Sequence, residues 1–258
     1  MKAKEIIKII ENVCPERLAY SWDNVGLLCG DENKDVKKVF VTLDTNINTV
    51  KEAISKNADM IVSHHPILLG GIKRIDYSTS VGQMLKLLIE NNIPLFAAHT
   101  NMDTAKGGIN DKLAEMFELT DVKILDQHTD DSSAGLGRYG RLEKTIKLGD
   151  FAEHCKKILD TPFLRVSGDF EKDINTVAVA SGSCSEIIPL AYEKGADVII
   201  TGDMKYHNMI DMTELGICVI DAGHYPTEIC VMDIFEDILK DTDIEIIKSE
   251  NKDIFKLV

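Results

Sequence analysis

The sequence predicts an α/β protein built from two similar α/β domains, with mostly parallel strands and flanking helices. Three observations carry that reading: short β-branched apolar runs alternate with helical periodicity, one stretch of chain recurs 138 positions further on, and histidines with carboxylates follow the recurring strands.

Lys38-Val39-Phe40-Val41-Thr42-Leu43 reads as a strand, Val50, Ala53 and Ile54 fall at helical spacing, and Met60-Ile61-Val62 is a second strand. Pro94-Leu95-Phe96-Ala97-Ala98 is the next strand. An amphipathic helix over 109–119 follows, opened by Gly107-Gly108. A strand, helix, strand unit with a crossover of this length makes parallel pairs. The start, Met1 to Lys8, is an amphipathic helix interrupted by charge rather than a continuous apolar leader.

Laying Val39 on Val177 carries the match without a gap from Val39-Phe40-Val41 to Ser63 on Thr201. It is best where Ala58-Asp59-Met60-Ile61-Val62-Ser63 meets Ala196-Asp197-Val198-Ile199-Ile200-Thr201. Apolar letters agree by chance more easily than they do together with the Ala-Asp step. A second block places Ala97-Ala98-His99-Thr100 on Ala222-Gly223-His224-Tyr225, with a shorter connection in the second copy. The chain therefore reads as a duplication, with a first domain over 1–128 and a second over 129–258. The C-terminal segment is able to return to the first domain. Thr129-Asp130-Asp131-Ser132-Ser133-Ala134-Gly135 has linker composition and marks the expected boundary.

The chain has 258 residues, 29 Lys and Arg against 43 Asp and Glu, and a net charge of -14. Such a chain repels phosphate backbones unless its basic residues cluster, so nucleic acid is a poor partner. No apolar run approaches the roughly 20 residues that span a bilayer, which excludes a membrane partner and points to the cytoplasm. The six cysteines show no C-x-x-C pair and read as small buried hydrophobes in a reducing compartment.

His64-His65 follows directly on a strand, where parallel α/β sheets present their ligands. His99 precedes Asp103 by four and His224 precedes Glu228 by four, both after matched strand ends. That spacing brings the two side chains to one helix face. Taken singly, each pair is equally an ion pair or a cap. Together they offer five or six imidazole and carboxylate donors, more than one tetrahedral zinc uses and enough for two ions sharing a carboxylate, for which Glu228 has the reach. Donors of this kind suit Zn, Mn, Fe or Ni. His128 and His154 lack such partners and read as solvent-exposed.

Ser21-Trp22-Asp23-Asn24-Val25-Gly26-Leu27, Ser63-His64-His65-Pro66, Ala98-His99-Thr100-Asn101-Met102-Asp103, Thr201-Gly202-Asp203-Met204-Lys205-Tyr206-His207 and Asp221-Ala222-Gly223-His224-Tyr225-Pro226-Thr227-Glu228 occur in this order. The set resembles the signatures of the NGG-interacting-factor-three-like family, often named GTP cyclohydrolase I type 2 homologues, in its compact form without an inserted middle domain. The resemblance implies two similar α/β domains, a dinuclear metal site between them and a ring-shaped homohexamer. It also implies metal ligands at His64, His65, Asp103, His224 and Glu228, and two divalent ions per chain.

Outside that set, His99 reads as a partner behind the ligands or a proton shuttle. Asp23 and Asn24 read as orienting a substrate or a metal-bound water, in a turn whose lone Trp22 otherwise packs on the core. Lys205 and His207 read as meeting an anionic substrate. The implied activity is metal-dependent hydrolysis of a small, possibly nucleotide-like molecule, by a hydroxide that two ions generate from a bridging water. No Gly-rich phosphate cradle is present, so a triphosphate would need the metals or Lys205 and Arg138. The alternative is a non-enzymatic metal-binding scaffold or regulatory interaction protein.

Overall fold

Helix α1 (Ala3–Glu11) buries Ala3, Ile6 and Ile10, the spacing of an amphipathic helix. Then come β1 (Gly26–Cys29), β2 (Lys38–Thr42), α2 (Ile47–Ser55), β3 (Met60–Ser63), α3 (Ser80–Glu90), β4 (Leu95–Ala97) and the single-turn α4 (Thr100–Thr104). A second series runs α5 (Ile109–Met116), β5 (Thr120–Asp126), β6 (Leu136–Lys147), α6 (Leu148–Ile158), β7 (Arg165–Ser167) and β8 (Asp173–Val179). It continues through α7 (Ile188–Glu193), β9 (Val198–Thr201), α8 (Tyr206–Leu215), β10 (Cys218–Asp221) and α9 (His224–Glu228). Helix α10 (Val231–Leu239) and β11 (Glu245–Lys248) complete the order. This computed structural model describes residues 1–256 apart from 71, 128 and 251, so the expectation for His128 lies outside the described residues. None of the helices described is long and apolar enough to cross a membrane.

The chain divides into two units, Met1–Ala105 with Val231–Lys252, and Lys106–Cys230 with Asp253–Val258. The division suggested by the sequence at 128/129 falls inside the second unit. Thr129–Gly135 belongs to the connection between β5 and β6, which pair antiparallel. Its Asp and Ser residues serve a hairpin, in which the Gln127 amide donates to the carbonyls of Thr129, Asp131 and Ala134. The 231–252 segment returns to the first unit because β11 pairs parallel with β2.

The first sheet has the order β1-β4-β3-β2-β11 and is parallel except for β1 against β4. Phe40, Val50, Ala53, Ile61, Leu88 and Leu95 form its core with α2 and α3. The second sheet has the order β5-β6-β8-β9-β10-β7. Only β8, β9 and β10 run parallel, and β5, β6 and β7 extend it antiparallel. Strands β3, β9 and β10 are buried along their length and β2 after its first residue, as strands covered on both faces require.

The pairing repeats along with the sequence. Val39 lies beside Met60, and 138 positions on Val177 lies beside Val198. The matched Ala-Asp step has a structural cause. Asp59 Oδ2 accepts from the backbone N–H groups of Lys37 and Lys38, and Asp197 Oδ2 accepts from those of Asn175 and Thr176. Each carboxylate ties down the neighbouring strand just where its parallel ladder begins, where two N–H groups need partners.

Past β4 and β10 the copies fall out of step. Leu95 lies beside Ile61 and Val219 beside Ile199, so the last strand recurs 124 positions on, while the histidines recur 125 on. The second copy holds one extra residue at the strand end, and Gly223 supplies it with a φ of 86° that suits glycine. His99 is consequently the residue before α4, whereas His224 is the first residue of α9. Glu228 closes α9, and the longer α10 begins only at Val231.

Asp59→Ala and Asp197→Ala should each cost about 1–3 kcal/mol by stranding two backbone donors. The Asn variants, which keep an acceptor oxygen, should cost less. Urea unfolding of the four variants is the check, and equal losses for Ala and Asn would show that the carboxylates do not hold the strand starts.

Candidate metal centre

The first unit gathers donors at the carboxyl ends of β2, β3 and β4. Beyond β3 the backbone stays on the ladder, with the N–H of His64 donating to Thr42 and that of His65 to Leu43 at 3.1 and 2.9 Å. His64 is completely buried. Its Nδ1 lies 2.8 Å from the carbonyl oxygen of Ala98, just past β4. A carbonyl only accepts, so Nδ1 carries the proton and Nε2 the lone pair that a metal needs.

The same arrangement recurs at the other rings. His65 Nδ1 donates to Asp44 Oδ1 at 2.7 Å, and His99 Nδ1 donates to Asp23 Oδ1 at 3.0 Å. The Asp23 carboxylate also accepts from the Thr100 N–H at 3.0 Å, the Thr100 hydroxyl at 2.6 Å and the Asn24 N–H at 2.8 Å. Burial works against its charge, but the hydrogen bonds from His99 and Thr100 outweigh it and hold the carboxyl at about 2. Asp23 therefore stays anionic wherever an imidazole titrates. Buried Asp103, on α4, places Oδ1 3.7 Å from His64 Nε2. One ligand atom from each of His64, His65 and His99 lies within 4.8 Å of the others.

The second unit builds a smaller donor set at the end of β10. Asp221 fixes the turn by accepting from the N–H groups of Met204 and Gly223. His224 Nδ1 then lies 2.8 Å from Asp203 Oδ2, and His224 Nε2 lies 3.0 Å from Glu228 Oε2, one helical turn on. Glu228 is buried. Gly182 makes room for it: a Cβ there would stand 2.1 Å from Glu228 Oε1 and 3.1 Å from His224 Nε2. Backbone hydrogen bonds hold this glycine, whose N–H donates to Thr227 Oγ1 and whose carbonyl accepts from Gly202. In each unit the donors are imidazole nitrogens and carboxylate oxygens with no thiolate, a chemistry that fits divalent transition ions.

The His-x-x-x-carboxylate spacing thus has two outcomes. In α9 it makes a direct contact, while His99, one residue earlier relative to its helix, turns to Asp23. Asp23 and Asn24 both serve the protein itself, since the Asn24 amide donates to the Leu68 carbonyl. Trp22 does not pack on the core. It is 57% exposed, stacked on Tyr20 with its ring 6.1 Å from that of His99. Lys205 and His207 are exposed at the start of α8, with His207 packed against Tyr206. Arg138 is buried and committed to Asp111 and to the carbonyls of Gly135 and Gly137. His154 is exposed, as expected. Sequence reasoning passed over Asp44, Asp203 and Gly182. The available signal was position, because all three directly follow core strands or their turns.

The profile of the Duf34/NIF3 (NGG1p interacting factor 3) family matches residues 1–254, and the chain belongs to that family. A Clostridium perfringens protein named GTP cyclohydrolase 1 type 2 homolog is 37% identical over the whole of both chains. Among solved structures, a Bacillus cereus protein related to NIF3 superposes with a TM-score of 0.92 at 27% identity, covering 100% of this chain and 99% of that one. Reduced HcgD from Methanocaldococcus jannaschii superposes with a TM-score of 0.85 at 36% identity, covering 97% and 98%.

Gly182→Ala tests the second donor set. The added methyl must push Glu228 aside, and metal affinity should fall on the order of tenfold or more while the fold persists. Isothermal titration with Zn(II) reads the affinity and circular dichroism the fold. Unchanged affinity would mean that Glu228 does not need its present position.

Proposed function

We propose that this protein is a divalent-metal-dependent hydrolase of a small, possibly nucleotide-like molecule. His64, His65, Asp103, His224 and Glu228 would hold two ions from the set Zn, Fe, Mn and Ni. The observation that carries the reading is the fixed tautomer of the histidines: His64, His65 and His224 each have Nδ1 on an oxygen acceptor, leaving Nε2 as the ligand atom. Bound divalent ions supply Lewis acidity and a water-derived nucleophile near neutral pH.

The chain's own groups divide the remaining work. Asp44 and Asp203 orient ligand rings and raise their basicity. Asp23 holds His99 so that its Nε2 can take or return a proton. Glu228 would supply the negative charge that no neutral imidazole gives and that two neighbouring divalent cations would require. The exposed Lys205 and His207 suit an anionic portion of the substrate. The name GTP cyclohydrolase 1 type 2 homolog, carried by relatives at 37% identity, supports a nucleotide-like substrate. The family resemblance supports a homohexamer, and cysteines that mostly serve as small buried hydrophobes support work in the reducing cytoplasm.

Protein purified without chelator should carry two ions per chain. Glu228→Gln should lose one or both, whereas His99→Ala should keep both and lose turnover only. Elemental analysis of the folded variants decides this, and the opposite pattern would reverse the two roles. A metabolite screen of the metal-loaded protein, with Glu228→Ala as control, identifies the substrate, and turnover that survives complete removal of metal would refute the hydrolase reading. Light scattering should give a mass near six times 28.7 kDa, and a monomer at micromolar concentration would refute the hexamer.

A further inference from the structure

The proposed two-ion arrangement leaves His99 outside the ligands, yet its ring stands with those of His64 and His65 in a regular figure. The three ring centroids are 4.9, 5.1 and 5.4 Å apart, and the ring planes cross at 47°, 72° and 78°. Edge-to-face inclination is common among packed rings, but here each ring also has its Nδ1 held on an oxygen acceptor. With metal–nitrogen bonds of roughly 2.0–2.1 Å and tetrahedral angles, three imidazoles on one ion place their centroids about 5 Å apart. One ligand atom of each ring lies within 4.8 Å of the others, and Nε2 is the atom left to a metal because each Nδ1 is engaged with Ala98 O, Asp44 or Asp23. Two carboxylates and a carbonyl behind three imidazoles is the outer support that metal-bound histidines use.

We propose that the first unit holds a metal position of its own, in which His64, His65 and His99 bind one divalent transition-metal ion as a three-imidazole tripod. It is the position occupied when the protein carries a single ion. A lone ion meets no second cation, so neutral ligands suffice. When a second ion arrives, mutual repulsion favours anionic donors, and His64 and His65 separate to serve one ion each. His99 is then released. The one-ion and two-ion states thus use overlapping but different ligands, and His99 distinguishes them. The inference shares His64 and His65 with the hydrolase reading but needs no residue of the second unit.

The test is made in full-length protein carrying His224→Ala and Glu228→Gln together, titrated anaerobically with Co(II). One Co(II) per chain should bind, with the strong visible absorption of a four-coordinate site. Adding His99→Ala to that protein should weaken binding at least tenfold and reduce the absorption. Failure of the folded double variant to bind Co(II), or binding that His99→Ala leaves unchanged, would overturn the tripod without touching the two-ion hydrolase. If the double variant does not fold, the comparison moves to the single variant His99→Ala against the unaltered protein. There the first equivalent of Co(II) should lose affinity and change its spectrum, while the total of two is kept. An identical first-equivalent spectrum in both would overturn the proposal.

Discussion

The hydrogen bond at each histidine Nδ1 is the constraint on which the site depends. An imidazole has two nitrogens and one proton, and whichever atom accepts that proton decides which nitrogen is left to bind metal. Here the acceptors are placed by the sheets themselves: Ala98 by the end of β4, Asp44 by the end of β2, and Asp203 by the turn after β9. Asp23 comes from the turn before β1 and is itself fastened by Thr100. Ring orientation is thereby a property of strand register. Side chains held in this way have little conformational freedom left to lose on binding.

The duplication kept the scaffold and exchanged the chemistry. Asp59 and Asp197 perform the same backbone task in both copies, because a strand start needs its donors satisfied whatever the site does. Beyond the strands, Gly202-Asp203 stands 138 positions after His64-His65, and Gly182 stands 138 after Asp44. In one copy a carboxylate after the first strand supports a histidine after the second. In the other, the carboxylate after the second strand supports a histidine after the third, and the position after the first strand is emptied for Glu228. Each copy therefore makes a carboxylate–histidine pair from different positions of one plan.

Much of this is legible in the sequence, because parallel strands buried on both faces leave continuous apolar runs and because the repeat preserves them. The runs at 38–43 and 60–62 and their counterparts near 177 and 198 are strands in the structure. The antiparallel margin of the second sheet was harder to read. Strand β6 has a mixed burial pattern, and the turn chemistry between 129 and 135 is the same in a hairpin as in a linker. The candidate histidines stood out through spacing and family motifs. Their supports did not, since Asp44 and Asp203 acquire meaning only when a strand end brings them to an imidazole. Arg138 and Trp22 show the converse: a cation that suggested phosphate is buried against Asp111, and an aromatic expected in the core lies exposed.

Gly223 carries a consequence for how such proteins diverge. Inserting one codon at a strand end leaves every core contact and every ladder bond upstream intact, so stability hardly registers it. The same insertion advances the following residue from the helix boundary into the first turn, where a side chain four positions later comes within reach. Together with exchanges such as Gly182 for Asp44, that insertion turns two copies of one plan into chemically unlike halves on the same strands.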